Sequence, residues 1–114
     1  MTITPSAALM DAIVLSVVAR ESGGTYGYKI TQDIRAVMEI SESTLYPVLR
    51  RLQKDGCLDV YDQEFAGRNR RYYRITPKGR ALLRESLAAW EAYKSNLDRV
   101  FYAPSAPNDG GNDR

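Results

Sequence analysis

The chemistry available to this chain is carried by its cations. Positions 43–80 hold nine basic residues (Arg50, Arg51, Lys54, Arg68, Arg70, Arg71, Arg74, Lys78, Arg80) against four acidic ones (Asp55, Asp59, Asp62, Glu64), a local charge of +5. The remainder of the chain sums to −3, which leaves +2 overall. Guanidinium and ammonium groups concentrated in this way neutralise phosphates and can read base edges. On charge alone, a solvated charged face is the equal alternative. Other chemistry lacks its parts. The absence of histidine and the single cysteine, Cys57, remove the commonest general base, leave little for a zinc site and rule out an internal disulfide. No phosphate-cradling glycine loop or nucleophile elbow appears. The expectation is therefore a protein that is not an enzyme and has neither metal nor cofactor.

These cations need elements to position them. A chain of 114 residues with 44% hydrophobic content suits one domain with a modest core. No apolar run approaches the ~20 residues of a membrane span, and "MTITPSAALM" lacks the charged start of a secretion signal. A cytoplasmic location without membrane association is expected. Thr4 as cap with Pro5 at the first helical position predicts a helix to about residue 21. Its apolar residues Leu9, Met10, Ala12, Ile13, Val14, Leu15, Val17 and Val18 surround more than half the cylinder, so one side is expected in the core and another against a second subunit. A second helix is predicted over 28–38, with Ile30, Ile34 and Val37 facing the core.

The third helix, over 41–55, has the clearest boundaries. Ser41 caps it, Ile40 and Leu45 have the spacing of a hydrophobic staple, and Gly56 stops it. Leu45, Val48, Leu49 and Leu52 line one face, leaving Ser43, Pro47, Arg50 and Lys54 on the opposite one with Tyr46 and Arg51 flanking. Proline inside a helix costs roughly 3 kcal/mol, softened near the first turn, so a position on the wet side asks for a reason. Helix, short turn and capped helix with a basic outer face is the arrangement of a helix-turn-helix. "LDVYDQE" and "RRYYRIT" then read as strands around "FAGRNR", whose Gly67 and Asn69 suit a hairpin tip. This hairpin would be a wing, with Arg68, Arg70 and Arg71 within reach of phosphates or a minor groove, and Tyr72 and Tyr73 in its packing.

Thr76 and Pro77 open a last helix of ~25 residues and ~37 Å, longer than so small a domain can cover. Leu83, Leu87, Trp90, Leu97 and Phe101 follow a spacing of 4, 3, 7 and 4, an apolar seam interrupted by Lys94. Such a seam suits a second copy of the chain. The tail "APSAPNDGGNDR" reads as disordered. The fold class expected is mainly α with a small β-hairpin: a winged helix-turn-helix domain at 4–76, a dimerisation helix at 77–102 and a tail at 103–114.

Together these residues resemble the PadR-type transcriptional regulators. The likeness covers about 9–101 and is carried by "ALMDAIVLSVV", "GTYGYKI", "STLYPVLRRLQKDGCL", "GRNRRYYRITPKGR" and Trp90. The single terminal helix is similar to the short branch that includes multidrug-binding repressors. The resemblance implies a ligand-responsive regulator, a repressor, whose homodimer binds a palindromic operator in double-stranded DNA and is clasped by the first and last helices. It also implies a central pore where a tryptophan from each subunit stacks flat hydrophobic ligands, and Trp90 matches that position. "TLYP" recurs in the family's recognition helix, which places Thr44, Tyr46 and Pro47 at the DNA surface; the alternative for Pro47 is that it only bends the helix. Ser43, Tyr46 and Arg50 are candidates for base or phosphate contacts, Arg51 and Lys54 for the DNA backbone. Tyr28 and Lys29 match positions that meet phosphate. The ligand set expected is Trp90, Leu87 and Val14. The interface expected is Met10, Val14, Val17 and Val18 with Leu83, Leu87, Trp90, Lys94, Leu97 and Phe101. A reading from another class is a winged-helix module that dimerises or docks a protein partner without sensing.

Overall fold

A computed structural model of the protein describes residues 5–104. The elements run α1 (Ala7–Ala19), β1 (Thr25–Tyr26), α2 (Gly27–Arg35), α3 (Glu42–Lys54), β2 (Leu58–Phe65), β3 (Arg68–Ile75) and α4 (Pro77–Tyr102). This is four helices with a small antiparallel sheet, a winged helix-turn-helix extended by a long terminal helix. No helix among the described residues is long and apolar enough to cross a membrane.

Helix α1 is apolar on nearly every side because it is the central helix, packed against α2, α3, β3 and α4. Its cap is Ser6, whose Oγ accepts from the Leu9 N–H at 3.2 Å, so Pro5 precedes the cap and is not the first helical residue. The expected Thr4 cap lies outside the described residues. Met10, Val14, Val17 and Val18 are buried within this one chain. They are expected to face a second subunit as well, and within this one chain they belong to the core.

Helix α2 stops earlier than its pattern implies. The Ala36 N–H closes on the Gln32 carbonyl, the chain turns out of the helix, and Val37 is 82% exposed instead of in the core; Met38 packs there in its place. Helix α3 matches its sequence signals. Ser41 Oγ accepts from the Thr44 N–H at 3.2 Å, and Leu45, Leu49 and Leu52 are buried. Gly56 at φ +81° ends it, with the Cys57 N–H on the Leu52 carbonyl (2.8 Å) and the Gly56 N–H on the Gln53 carbonyl (3.0 Å), the paired bonds of a Schellman stop.

The sheet has order β1-β3-β2, so the expected two-stranded hairpin gains a third, two-residue strand paired with Tyr72 and Tyr73. The hairpin tip is the pair Ala66 (φ 55°) and Gly67 (φ 79°), both in the left-handed region that a two-residue type I′ turn requires. Asn69, expected at the tip, lies in the ladder opposite Glu64. Thr76 anchors α4: its Oγ1 accepts from the Gly79 N–H at 3.0 Å and donates to the Gly56 carbonyl at 2.7 Å. Gly79 is buried against the Cys57 carbonyl and Ile75, which seats the start of α4 at the base of the wing. Most of the expected disordered tail lies outside the described residues.

Candidate nucleic-acid interface

The wet face of α3 carries Ser43, Thr44, Pro47, Arg50 and Lys54, all exposed. Ser43 Oγ and Thr44 Oγ1 are tied to Ser41 Oγ at 2.9 and 3.1 Å, so the capping network orders them. Pro47 sits inside the helix on this outer face. Tyr46, half-buried, crosses to α2 and lays its phenol against Gly27. Burial, and after it the Glu42 carboxylate, raises the Tyr46 pKa, so the hydroxyl keeps its proton and can donate at neutral pH.

Between α3, the start of α2 and the far half of the wing lies an open cleft of about 730 Å³. Arg50 reaches it from α3, and Arg68, Arg70 and Arg71 from β3. Tyr28, Tyr46 and Tyr73 also line it, and no carboxylate among the described residues does. The cleft exists because β1 is only two residues long: β3 extends past it and leaves a gap beside α2. Four guanidiniums among tyrosine side chains, with no described carboxylate in the lining, attract a polyanion. Six of the twelve residues expected to meet DNA thus converge here (Tyr28, Tyr46, Arg50, Arg68, Arg70, Arg71), and Ser43, Thr44, Pro47 and Lys54 share the exposed face of α3 beside it.

Two expected phosphate contacts are otherwise engaged. Arg51 turns to α1 and holds Asp11 with both terminal nitrogens, the Nη1 to Oδ2 bond being 3.0 Å. That hydrogen bond raises the Arg51 pKa further and ties α3 to the central helix. Lys29 Nζ lies 3.0 Å from Asp33 and 3.2 Å from Glu21, and these bonds, Asp33 first, raise its pKa. Arg71 Nε stands 3.8 Å from its cross-strand neighbour Asp62, a loose and exposed pair. Arg70 is stacked between the Tyr26 and Phe65 rings. Tyr26, Gly27 and Phe65 also line the cleft without being singled out by the sequence reading, as does Asn69, expected only at the hairpin tip; an apolar Phe65 beside the arginine-rich loop is the available signal.

A second, smaller groove of about 210 Å³ flanks Trp90. Small residues from the start of α1 (Ala8, Ala12) and from α4 (Ser86, Ala89) border it, with Leu9 and Tyr93 beside the indole. Val14 and Leu87, expected with Trp90 in a ligand set, do not line it: Val14 is buried in the core and Leu87 lies on a more exposed side of α4. Along α4, Leu83 packs against the core and Trp90 and Leu97 are half-buried, whereas Lys94 and Phe101 are exposed with Tyr93, Val100 and Tyr102.

Residues 14–85 match the model of the transcriptional regulator PadR-like family. The Mycobacterium tuberculosis transcriptional regulator Rv3488 is 45% identical over 67 residues, covering 58% of this chain and 63% of that protein. Among solved structures, smu.1704 from Streptococcus mutans UA159 is similar at 37% identity and a TM-score of 0.80, with 93% of this chain and 98% of that one covered. A transcriptional regulator from Clostridium thermocellum, Cth-833, follows at 33% identity and 0.75, with 82% and 94% covered. Sequence and fold agree with the chemistry of the cleft: the chain belongs to the PadR-like family of transcriptional regulators, DNA-binding proteins and not enzymes.

Proposed function

We propose that two copies of the chain pair through α4 and bind an inverted-repeat operator as a repressor, and that a planar hydrophobic ligand at Trp90 weakens this binding. The observation that carries the DNA half is the convergence of α3 and the wing arginines on one cleft that no described carboxylate lines. A two-fold pair would set its α3 helices in successive major grooves ~34 Å apart, with Arg50 as the candidate base reader and Arg68 and Arg71 on phosphates.

Support for pairing comes from the apolar side chains that α4 leaves uncovered: Leu87, Tyr93, Val100, Phe101 and Tyr102 are each more than 40% exposed. Isolated exposed apolar residues are ordinary, but five on one helix, with Tyr93 and Val100 seven positions apart on one face, offer a surface for association. Sensing is supported by the groove at Trp90, where small neighbours leave an indole face accessible. A ligand there releases DNA only in proportion to its preference for the DNA-incompetent arrangement.

Selection from a random duplex pool tests the DNA reading, with recovery of an inverted repeat as the expected result and recovery of no common sequence as the contrary one. Sedimentation at micromolar concentration tests pairing: a monomer refutes it. Planar dyes should quench Trp90 fluorescence and lower operator affinity; quenching without an affinity change would make the groove a binding site without a regulatory role.

A further inference from the structure

We propose that Arg70 is a wing-positioning residue and not a phosphate contact: it is one link of an aromatic and cation–π stack that holds the wing towards DNA before DNA arrives. By strand alternation Arg70, Tyr72 and Arg74 share one face of β3, and the register sets Tyr26 and Tyr61 on either side of Tyr72. The Arg70 guanidinium carbon lies 4.0 Å from the Tyr26 ring centroid and 4.1 Å from that of Phe65. From Tyr26 the stack continues to Tyr72 (5.6 Å, edge-on) and from Tyr72 to Tyr61 (5.5 Å, parallel), and Arg74 closes it 5.1 Å from the Tyr61 ring. The Tyr61 hydroxyl then donates to the Gly23 carbonyl, in the turn that leads to β1.

This stack joins two parts that the backbone leaves separate. Phe65 adjoins the hairpin tip, while Tyr26 sits on β1 at the threshold of α2. The ladder ties β1 to β3 only at Tyr72 and Tyr73, so the far half of the wing extends beyond the third strand. A two-stranded hairpin is marginal on its own. Arg70 bridges the gap with a planar cation that offers a face to each ring, a geometry that the compact lysine ammonium does not reproduce. Extending the side chain to a phosphate would vacate both rings.

The proposal rests on the cleft being the DNA-facing surface, and its test separates the two. Arg70→Met, Arg70→Lys, Tyr26→Leu and Phe65→Leu are compared with the parent by amide hydrogen exchange of the free protein and by salt titration of binding to a random-sequence duplex. Wing amides at 62–70 should exchange about two- to five-fold faster in all four, the worth of a lost exposed cation–π contact, while the amides of α1 and α4 keep their protection. Duplex affinity should fall by a similar factor in all four. The slope of log K against log salt should stay unchanged in Arg70→Met, and Arg70→Lys should not restore binding. A slope reduced by about 0.9 in Arg70→Met, with Arg70→Lys and Tyr26→Leu binding normally, would make Arg70 a phosphate contact and overturn the proposal. Unaltered wing exchange in the four variants overturns it as well. If the parent binds duplex without salt dependence, the cleft reading fails, and the exchange data still decide whether Arg70 orders the wing.

Discussion

Replacing Gly27 with alanine should force the Tyr46 phenol out of its seat. Gly27 is the buried first residue of α2, and a Cβ built on it stands 2.9 Å from Tyr46 Cε1 and Cζ and closer still to the hydroxyl. Favourable carbon contacts begin near ~3.5 Å, so the ring edge must retreat by roughly 0.6 Å or more. Overpacking of this kind costs about 1–3 kcal/mol, against up to ~1 kcal/mol that alanine returns over glycine in a helix. The expected net loss is about 1–2 kcal/mol, which at ~4 °C per kcal/mol lowers Tm by roughly 4–8 °C. Thermal melts at fixed protein concentration, because association adds to apparent stability, should be run in two backgrounds. With Tyr46→Ala the clash is gone, and Gly27→Ala should become neutral or stabilising by up to ~1 kcal/mol. The double-mutant cycle should then give a coupling of about 2 kcal/mol. An equal cost in both backgrounds would show that the strain lies elsewhere, and no cost in either would mean that the phenol does not rest on Gly27.

Ala66 holds φ +55° at the hairpin tip, so Ala66→Gly should raise stability by about 1 kcal/mol, read as a higher Tm, because it removes the left-handed penalty of a side chain. Gly79→Ala should destabilise by about 1–3 kcal/mol in the same melts, since its Cβ would meet the Cys57 main chain, which cannot swing aside as a side chain can. Arg51→Met should lose about 0.5–1 kcal/mol through the half-exposed Asp11 pair and leave the salt slope of duplex binding unchanged, whereas a slope lowered by about 0.9 would return Arg51 to the DNA contacts. Arg50→Ala should weaken specific binding by about 1–3 kcal/mol and random duplex far less; equal losses on the two would demote it to a phosphate contact.

The elements with local punctuation were legible in the sequence. Ser41, Gly56 and the 45-49-52 leucines bound and orient α3 without reference to anything distant, and Thr76 with Pro77 does the same for the start of α4. What escaped depends on contacts far along the chain. β1 is too short for any periodicity, and it forms because Tyr72 and Tyr73 present an edge to it. Val37 continues a helical spacing, but the backbone has already left the helix. Asp11 and Arg51 are forty positions apart, so the ion pair that engages Arg51 has no local signature. Lys29 and Asp33 stand at i, i+4, a spacing that was open to view, though Glu21 joins them only across a turn. An all-round apolar helix such as α1 announces burial without saying what covers it, so Val14 and its neighbours, in the core of this chain, read equally well as core or as interface.

The way α4 is mounted has a mechanical consequence. Its first turn is pinned at the base of the wing, by the Thr76 hydroxyl on the Gly56 carbonyl and by Gly79 pressed on the Cys57 main chain, and the rest of the 26-residue helix runs on as one rod, past the start of α1 at Trp90. At 1.5 Å per residue the rod is ~39 Å long, so a tilt of about 5° at the pinned end displaces the far end by roughly 3 Å. The same lever works in reverse. Whatever grips the rod near Phe101 holds a long handle on the small joint where α3 hands the chain to the wing, and a displacement of a few ångströms at the handle is felt there as a change of angle.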